Sequence, residues 1–286
     1  MNHAGSEAPL SCGVPFGSAL QAPAHWRHID FISDLHLQAS EFATFESWSN
    51  FMLSTPADAV FILGDLFEVW VGDDVAATRF TPLDQAQGFE ARCGHVLQQA
   101  SQRLSVYFMH GNRDFLLGPA FAEACGMALL NDPTVLDFAN ERWLLSHGDA
   151  WCLGDTNYLK FRAQVRSPKW QSDFLSQPLA QRQAAARSLR AQSEHLKLGI
   201  TSYADLDAQA CCEWLHNAHA TTLIHGHTHK PADHDLPHGL KRITLSDWDA
   251  CATPPRAEVL RLTAPPPGSG RAQCTVKRIP AHQIRA

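Results

Sequence analysis

Phe61-Ile62-Leu63-Gly64-Asp65-Leu66-Phe67-Glu68-Val69-Trp70-Val71-Gly72-Asp73-Asp74 is the stretch from which the fold can be read. It opens as the end of an apolar run, Ala59 to Leu63, breaks at a glycine and at once delivers a carboxylate. A short run with no polar alternation suits a strand buried on both faces, and a glycine lets the backbone turn sharply after it. The same figure recurs four times. His28 to Ser33 runs into Asp34-Leu35-His36, Ser105 to His110 into Gly111-Asn112, Arg142 to Ser146 into His147, and Thr221 to Ile224 into His225-Gly226-His227-Thr228-His229. Between the early strands lie helical spacings: Phe42, Phe45, Trp48 and Met52 behind Ser40 as the expected cap, then Leu83, Phe89, Cys93 and Leu97 opened by Thr81-Pro82. Strand, helix, strand predicts a largely parallel sheet covered by helices, with residues at the carboxyl ends of the strands meeting in one crevice.

Further along, Leu206, Ala210 and Trp214 predict a helix after Asp205. Lys241 to Leu245, Arg256 to Leu262 and Gln273 to Ile279 predict strands that build a second sheet packed on the first. The expected fold is α/β, a four-layer αββα sandwich over residues 26–286, preceded by a flexible extension at 1–25 and carrying a helical lid insertion at about 156–204. Within the insertion, 160–197 holds eight basic residues against two acidic ones, whereas the whole chain carries a net charge of −6. Tyr158, Phe161, Val165, Trp170, Phe174 and Leu175 give its helices apolar faces. Either this is a solvated basic hairpin or it is a lid for an anionic, partly greasy ligand.

Composition removes several classes. The 286 residues are 45% hydrophobic and 18% charged, a globular balance, and the acidic net charge excludes wholesale wrapping of nucleic acid. No apolar run approaches the ~18 to 20 residues of a bilayer-spanning helix, and mean hydropathy is −0.21. The eight cysteines contain no C-x-x-C pair, which reads as reduced, cytosolic usage, and the start of the chain lacks a secretory signal.

The chemistry lies in Asp34, His36, Asp65, Asn112, His147, His227 and His229. A lone aspartate after a strand usually caps a helix and a lone histidine is usually packed or solvated, as expected of His216, His219, His234 and His238. Seven such groups on five strand ends call for another explanation. Mixed oxygen and imidazole donors suit Mn²⁺, Fe²⁺ or Zn²⁺ better than Ca²⁺ or Mg²⁺, and the lack of thiolate argues against structural zinc. Seven ligands exceed the need of one ion, so two divalent ions are expected, Mn²⁺ first among them, with a carboxylate such as Asp65 as the bridge. Such a pair ionises water near neutral pH and stabilises charge in an in-line displacement at phosphorus.

The series Asp34-x-His36, Gly64-Asp65, Gly111-Asn112, His147 and Gly226-His227-x-His229 resembles the calcineurin-like metallophosphoesterases over about residues 28–250. That resemblance implies one ion on Asp34, His36, Asp65 and His229, and the other on Asp65, Asn112, His147 and His227, with His225 supporting the ligands. The superfamily usually has histidine where this chain has Arg113. A guanidinium is a poor acid but grips phosphate oxygens with two parallel donors, which favours a pyrophosphate bond, whose leaving group is itself a phosphate with a second pKa near ~6. A salt bridge to Asp114 or Asp73 is the structural alternative for Arg113.

The run Gly64 to Asp74, Gly111-Asn112-Arg113-Asp114-Phe115 and His225 to His229 are similar to the UDP-2,3-diacylglucosamine pyrophosphatase family. His147-Gly148-Asp149 with Cys152, Asp155, Tyr158, Phe161 and Arg162 follows the same pattern, although Leu153-Gly154 replaces its usual polar pair. The resemblance implies attack of water on the α-phosphorus of UDP-2,3-diacylglucosamine, releasing UMP and 2,3-diacylglucosamine 1-phosphate (lipid X), with Asn112, Arg113 and His227 at the reacting group. It implies substrate contacts from Asn112, Arg113, Asp155, Ser193, Lys197 and His227, and acyl chains held by the insertion. It further implies a monomer in the cytoplasm of a Gram-negative bacterium, peripheral on the anionic inner-membrane surface, with no nucleic-acid partner. The alternatives are a two-ion pyrophosphatase or phosphodiesterase for soluble nucleotides, and a binding scaffold that has lost catalysis, although this chain keeps every ligand type.

Overall fold

Numbered along the chain, the strands are β1 (Leu20–Gln21), β2 (His28–Ile32), β3 (Ala59–Leu63), β4 (Ser105–Met109), β5 (Met127–Leu130), β6 (Thr134–Phe138), β7 (Glu141–Ser146), β8 (Thr222–His225), β9 (Ala232–Asp235), β10 (Lys241–Thr244), β11 (Glu258–Thr263) and β12 (Thr275–Pro280). The helices are α1 (Phe42–Ser54), α2 (Phe89–Ser101), α3 (Pro119–Cys125), α4 (Thr156–Val165), α5 (Pro168–Leu175), α6 (Leu179–Lys197) and α7 (Ala208–Ala218). This computed structural model describes residues 19–76, 88–197, 205–266 and 273–285, the side chains of 191–197 excepted.

Two six-stranded sheets stack, one in the order β12-β11-β2-β3-β4-β5 and the other β1-β6-β7-β8-β10-β9. Between them the inward residues of both sheets interdigitate: Ile29, Phe31, Phe61, Leu63 and Leu260 from the first, Leu136, Trp143, Leu145, Ile224 and Ile243 from the second. Register places Phe31 beside Phe61 and Phe61 beside Tyr107, and their rings stack with centroids 5.2 and 4.5 Å apart. The outer face of the first sheet, with Ile32, Val60 and Ile62, packs on α1, α2 and α3 through Phe45, Trp48, Val96, Leu97 and Phe121. The second sheet's outer face, with Leu144 and Leu223, packs on α7 through Cys211 and Leu215. The predicted four-layer αββα sandwich is therefore the fold.

The distribution of strands differs from expectation. The five ligand-tipped strands are divided, β2, β3 and β4 in one sheet and β7 and β8 in the other. Expected to found the second sheet, β11 and β12 instead extend the first, β11 antiparallel to β2 and β12 antiparallel to β11, and of the three only β10 enters the second sheet, beside β8. A period of two identifies a strand and its faces but leaves its neighbour unstated. Near the start, within the extension expected at 1–25, Leu20 pairs with Leu136 and packs between the sheets; residues 1–18 lie outside the described residues. The cap of α1 is Glu41, without a side-chain bond, rather than Ser40. The described part of the second helix begins at Phe89, and Thr81, Pro82 and Leu83 lie outside the described residues. Among those described, no helix is long and apolar enough to cross a membrane.

Candidate active site

The carboxyl ends of both sheets open on the same edge of the sandwich, and there the backbone leaves regular geometry. Asp34, His36, Asp65, His227 and His229 all adopt positive φ, between 48° and 70°. Left-handed backbone costs a non-glycine residue about 1 kcal/mol or more, so five instances in one place must be held by their surroundings. Glycines make the room. A Cβ on Gly64 would strike His147 Nδ1 and the Gly111 backbone, and one on Gly111 would strike Asp65. A Cβ on Gly226 would collide with Ser33 and Asp34.

The result is a continuous cluster. His229 Nε2 lies 3.3 Å from Asp34 Oδ1 and 3.2 Å from His36 Nε2, while Asp65 Oδ2 stands 3.9 Å from His36 Nε2 and 3.8 Å from His147 Nε2. Asn112 Oδ1 sits between His147 Nε2 at 3.0 Å and His227 Nδ1 at 2.9 Å. Two overlapping groups, Asp34 with His36 and His229, and Asp34 with Asp65 and His147, have ligand atoms within 4.8 Å of one another. All seven predicted ligands meet here. Acceptors outnumber donors at their centre, the arrangement that suits divalent cations, and the site is a candidate dimetal centre.

Electrostatics point the same way. Burial opposes ionisation of Asp34, but His229, with His147 and His36 behind it, outweighs burial and holds the carboxyl below its usual range. Burial also disfavours charge on His147, yet Asp65, Asp149 and Asp34 pull its pKa up to about 9. The combined carboxylate field calls for positive charge at this point, which a proton or a cation can supply. Desolvation of the partly buried His227, with His147 beside it, pushes its pKa down to about 4.

Residues 27–231 match the family model for calcineurin-like phosphoesterases. The chain belongs to this family. A relative in Aromatoleum aromaticum is 45% identical over 225 residues, covering 76% of this chain and 88% of its own, and one in Chromobacterium violaceum is 43% identical over 229 residues, covering 77% and 90%. Both are named UDP-2,3-diacylglucosamine hydrolase.

Around the cluster, this phosphoesterase adds supports that the sequence did not disclose. Asp114, fully buried, accepts from the backbone amides of Leu66 at 2.7 Å and Gly111 at 2.9 Å and so ties the tips of β3 and β4. Burial, then Asp65, push its pKa up to about 7. Its position inside Gly111 to Phe115 was the only signal. Glu68 Oε2 stands 2.9 Å from His36 Nδ1, and Asp247 Oδ2 4.0 Å from His229 Nδ1. The His225 ring contacts Gly226 O at 2.7 Å and Thr244 Oγ1 at 3.0 Å, away from the cluster.

Arg113 donates its amide to Asp65 Oδ1 at 2.8 Å. Asp114 is taken up by backbone amides and Asp73 by Gly118 and Phe121, so neither serves as its salt-bridge partner, and the buried Arg113 Nε makes no hydrogen bond among the described residues.

The insertion folds as α4, α5 and α6 over the site. Tyr158 donates its hydroxyl to Asp149 at 2.5 Å, Arg162 Nε donates to the same carboxylate at 2.8 Å, and Arg166 donates to Gly111 O at 2.8 Å. The Tyr158 ring faces His227 at 6.2 Å. On α6, Arg182 is buried against Val71 O and Asp74, which is why Gly72 has no space for a Cβ. Trp170 and Phe174 stack at 4.7 Å and close onto the main core, leaving Phe161, Leu175 and Leu189 as its exposed apolar groups. Asp155 caps α4 by accepting from the Tyr158 amide at 2.9 Å. Ser193 and Lys197 lie in the last turns of α6, and their side chains fall outside the described residues.

Proposed function

We propose that this protein hydrolyses the pyrophosphate bond of UDP-2,3-diacylglucosamine, giving UMP and 2,3-diacylglucosamine 1-phosphate for lipid A synthesis. The observation that carries the reading is one cluster of seven oxygen and imidazole donors in a chain 45% identical to a relative bearing that activity's name.

Asp34, His36, Asp65 and His229 would hold one divalent ion, and Asp65, Asn112, His147 and His227 the second, with Mn²⁺ the proposed occupant among the Mn²⁺, Fe²⁺ and Zn²⁺ that mixed oxygen and imidazole donors accept. When bound, such a pair lowers the pKa of water toward neutrality and neutralises charge on phosphate oxygens. The chain's own groups do the rest. His147 is fixed by Leu63 O, 2.9 Å from Nδ1, so Nε2 faces the cluster. Asn112 presents its carbonyl oxygen between two imidazoles, and neutral His227 avoids adding charge beside His147. The Arg113 guanidinium, whose Nε makes no hydrogen bond among the described residues, would grip the diphosphate. A proton donor to the leaving group is unnecessary, because that group is a phosphate.

Asp155, Ser193 and Lys197 would contact the substrate from the insertion, whose apolar groups would take the acyl chains. Basic helices and exposed Phe161, Leu175 and Leu189 suit attachment to an anionic inner-membrane face from the cytoplasm, with the protein acting as a monomer. Hydrolysis in ¹⁸O water tests the reaction. Label should appear in UMP; label only in the sugar phosphate would overturn attack at the α-phosphorus.

A further inference from the structure

Each of the two histidines at the cluster's outer end has a carboxylate behind its Nδ1, and each carboxylate meets an arginine. His229 is backed by Asp247 at 4.0 Å, and Asp247 by Arg256 at 3.0 Å, all from the same end of the sandwich. His36 is backed by Glu68, whose Oε2 lies 2.9 Å from Nδ1 as a charge contact without hydrogen-bond alignment, and Glu68 by Arg190, which belongs to α6 of the insertion. Glu68 is 6% exposed, deeper than a carboxylate sits without a partner. The two chains of contact look alike but have different anchors: one ends in the scaffold, the other in the lid.

We propose that Glu68 is a positioning residue that aims His36 Nε2 into the cluster, and that through Arg190 the seating of α6 sets how firmly the ion on that side is held. This rests on the two-ion reading above. A ligating histidine has its free ring nitrogen fixed by a neighbouring acceptor, which selects the tautomer and the ring plane, and loss of that acceptor typically lowers metal affinity about 10- to 100-fold. Here Glu68 would itself be held by a side chain from the lid. His147 differs, since Leu63 O is a backbone group that no movement of the lid disturbs.

The test is Mn²⁺ binding by the metal-stripped full chain, followed by equilibrium dialysis without substrate. The parent should bind two ions. Glu68→Ala should weaken one of them about 10- to 100-fold and spare the other. Glu68→Gln, which keeps the shape, should give a smaller loss at the same ion, and Arg190→Ala should act in the same direction. Lys169→Ala is the control: it breaks the exposed pair with Asp173 on α5, touches neither Glu68 nor α6, and should leave both ions bound as in the parent. Unchanged binding in both Glu68 variants, or an equal loss in Lys169→Ala, would overturn the role of Glu68, and unchanged binding in Arg190→Ala would overturn the coupling to α6. A parent that binds no ion would overturn the two-ion reading and this one with it, whereas failure to hydrolyse the diacyl substrate would sink only the proposed reaction.

Discussion

The strand-tip cluster and the helical insertion over it are held by different forces. In the cluster, position follows from backbone: strands buried on both faces stop, left-handed residues turn, and Gly64, Gly111 and Gly226 admit neighbours that any Cβ would exclude. In the insertion, position follows from charge, with Asp149 gathering Tyr158, Arg162 and Arg166, and Asp74 and Glu68 taking Arg182 and Arg190. The cluster is therefore fixed by close backbone packing, and the insertion by ion pairs and hydrogen bonds between side chains.

The sharpest break between the two comes from removing a cluster donor. Asp65→Ala or His147→Ala should abolish hydrolysis and lower the number of bound ions, with far-ultraviolet circular dichroism unchanged. Arg113→Ala should cost about 10²- to 10³-fold in turnover, the scale of a lost charge-stabilising donor, while elemental analysis still finds both ions. If Arg113→Ala also lost metal, the Arg113 side chain would be holding the cluster together rather than the substrate, and the pyrophosphate argument would fall.

A middle-sized effect is expected at the joint. Burial opposes ionisation of Asp149, but His147, Arg162 and Arg166 outweigh it and keep the carboxyl below its usual range. A depressed carboxyl contributes stability that is present above the ordinary carboxylate range, ~4, and is lost as pH falls below it. Asp149→Asn should lower stability at pH 7 by about 3 kcal/mol, since it leaves Arg162 without its closest buried partner. Its denaturation midpoint should also fall less than the parent's between neutral pH and pH 3. A parallel pH response in both proteins would show that Asp149 is not what ties α4 down.

The same contrast explains what could be read in advance. Every cluster residue followed a strand in the sequence, and the apolar run, the glycine and the ligand are neighbours in the chain, so all seven were legible. Which sheet each strand entered was not, because Leu260 and Leu262 satisfy a period of two equally well in either sheet. At seven residues, α3 offers too little periodicity to be seen. Glu68 was quoted within the most specific run yet carried no assigned role, since its meaning depends on His36 and on Arg190, which lies far along the chain. Phe174 was expected on an apolar face of the insertion that holds acyl chains, but helical spacing marks an apolar side without saying what covers it, and the ring packs into the main core.

The smallest effect is expected on the outside of the lid, where Phe161, Leu175 and Leu189 are 39%, 41% and 43% exposed. Fully burying such side chains is worth about 1.5 to 3 kcal/mol each, and groups already more than half covered have at most about half of that left to gain. Changing any one to serine should therefore raise KM for the diacylated substrate only a few-fold, leave kcat within a factor of about two, and weaken co-sedimentation with anionic vesicles. A small phosphodiester without acyl chains should be hydrolysed by these variants as by the parent, because nothing in the strand-tip cluster has been touched. Equal losses on both substrates would mean that the insertion's outer surface acts on the cluster rather than on lipid, and the division between a centre built by backbone and an insertion attached by side chains would have to be redrawn.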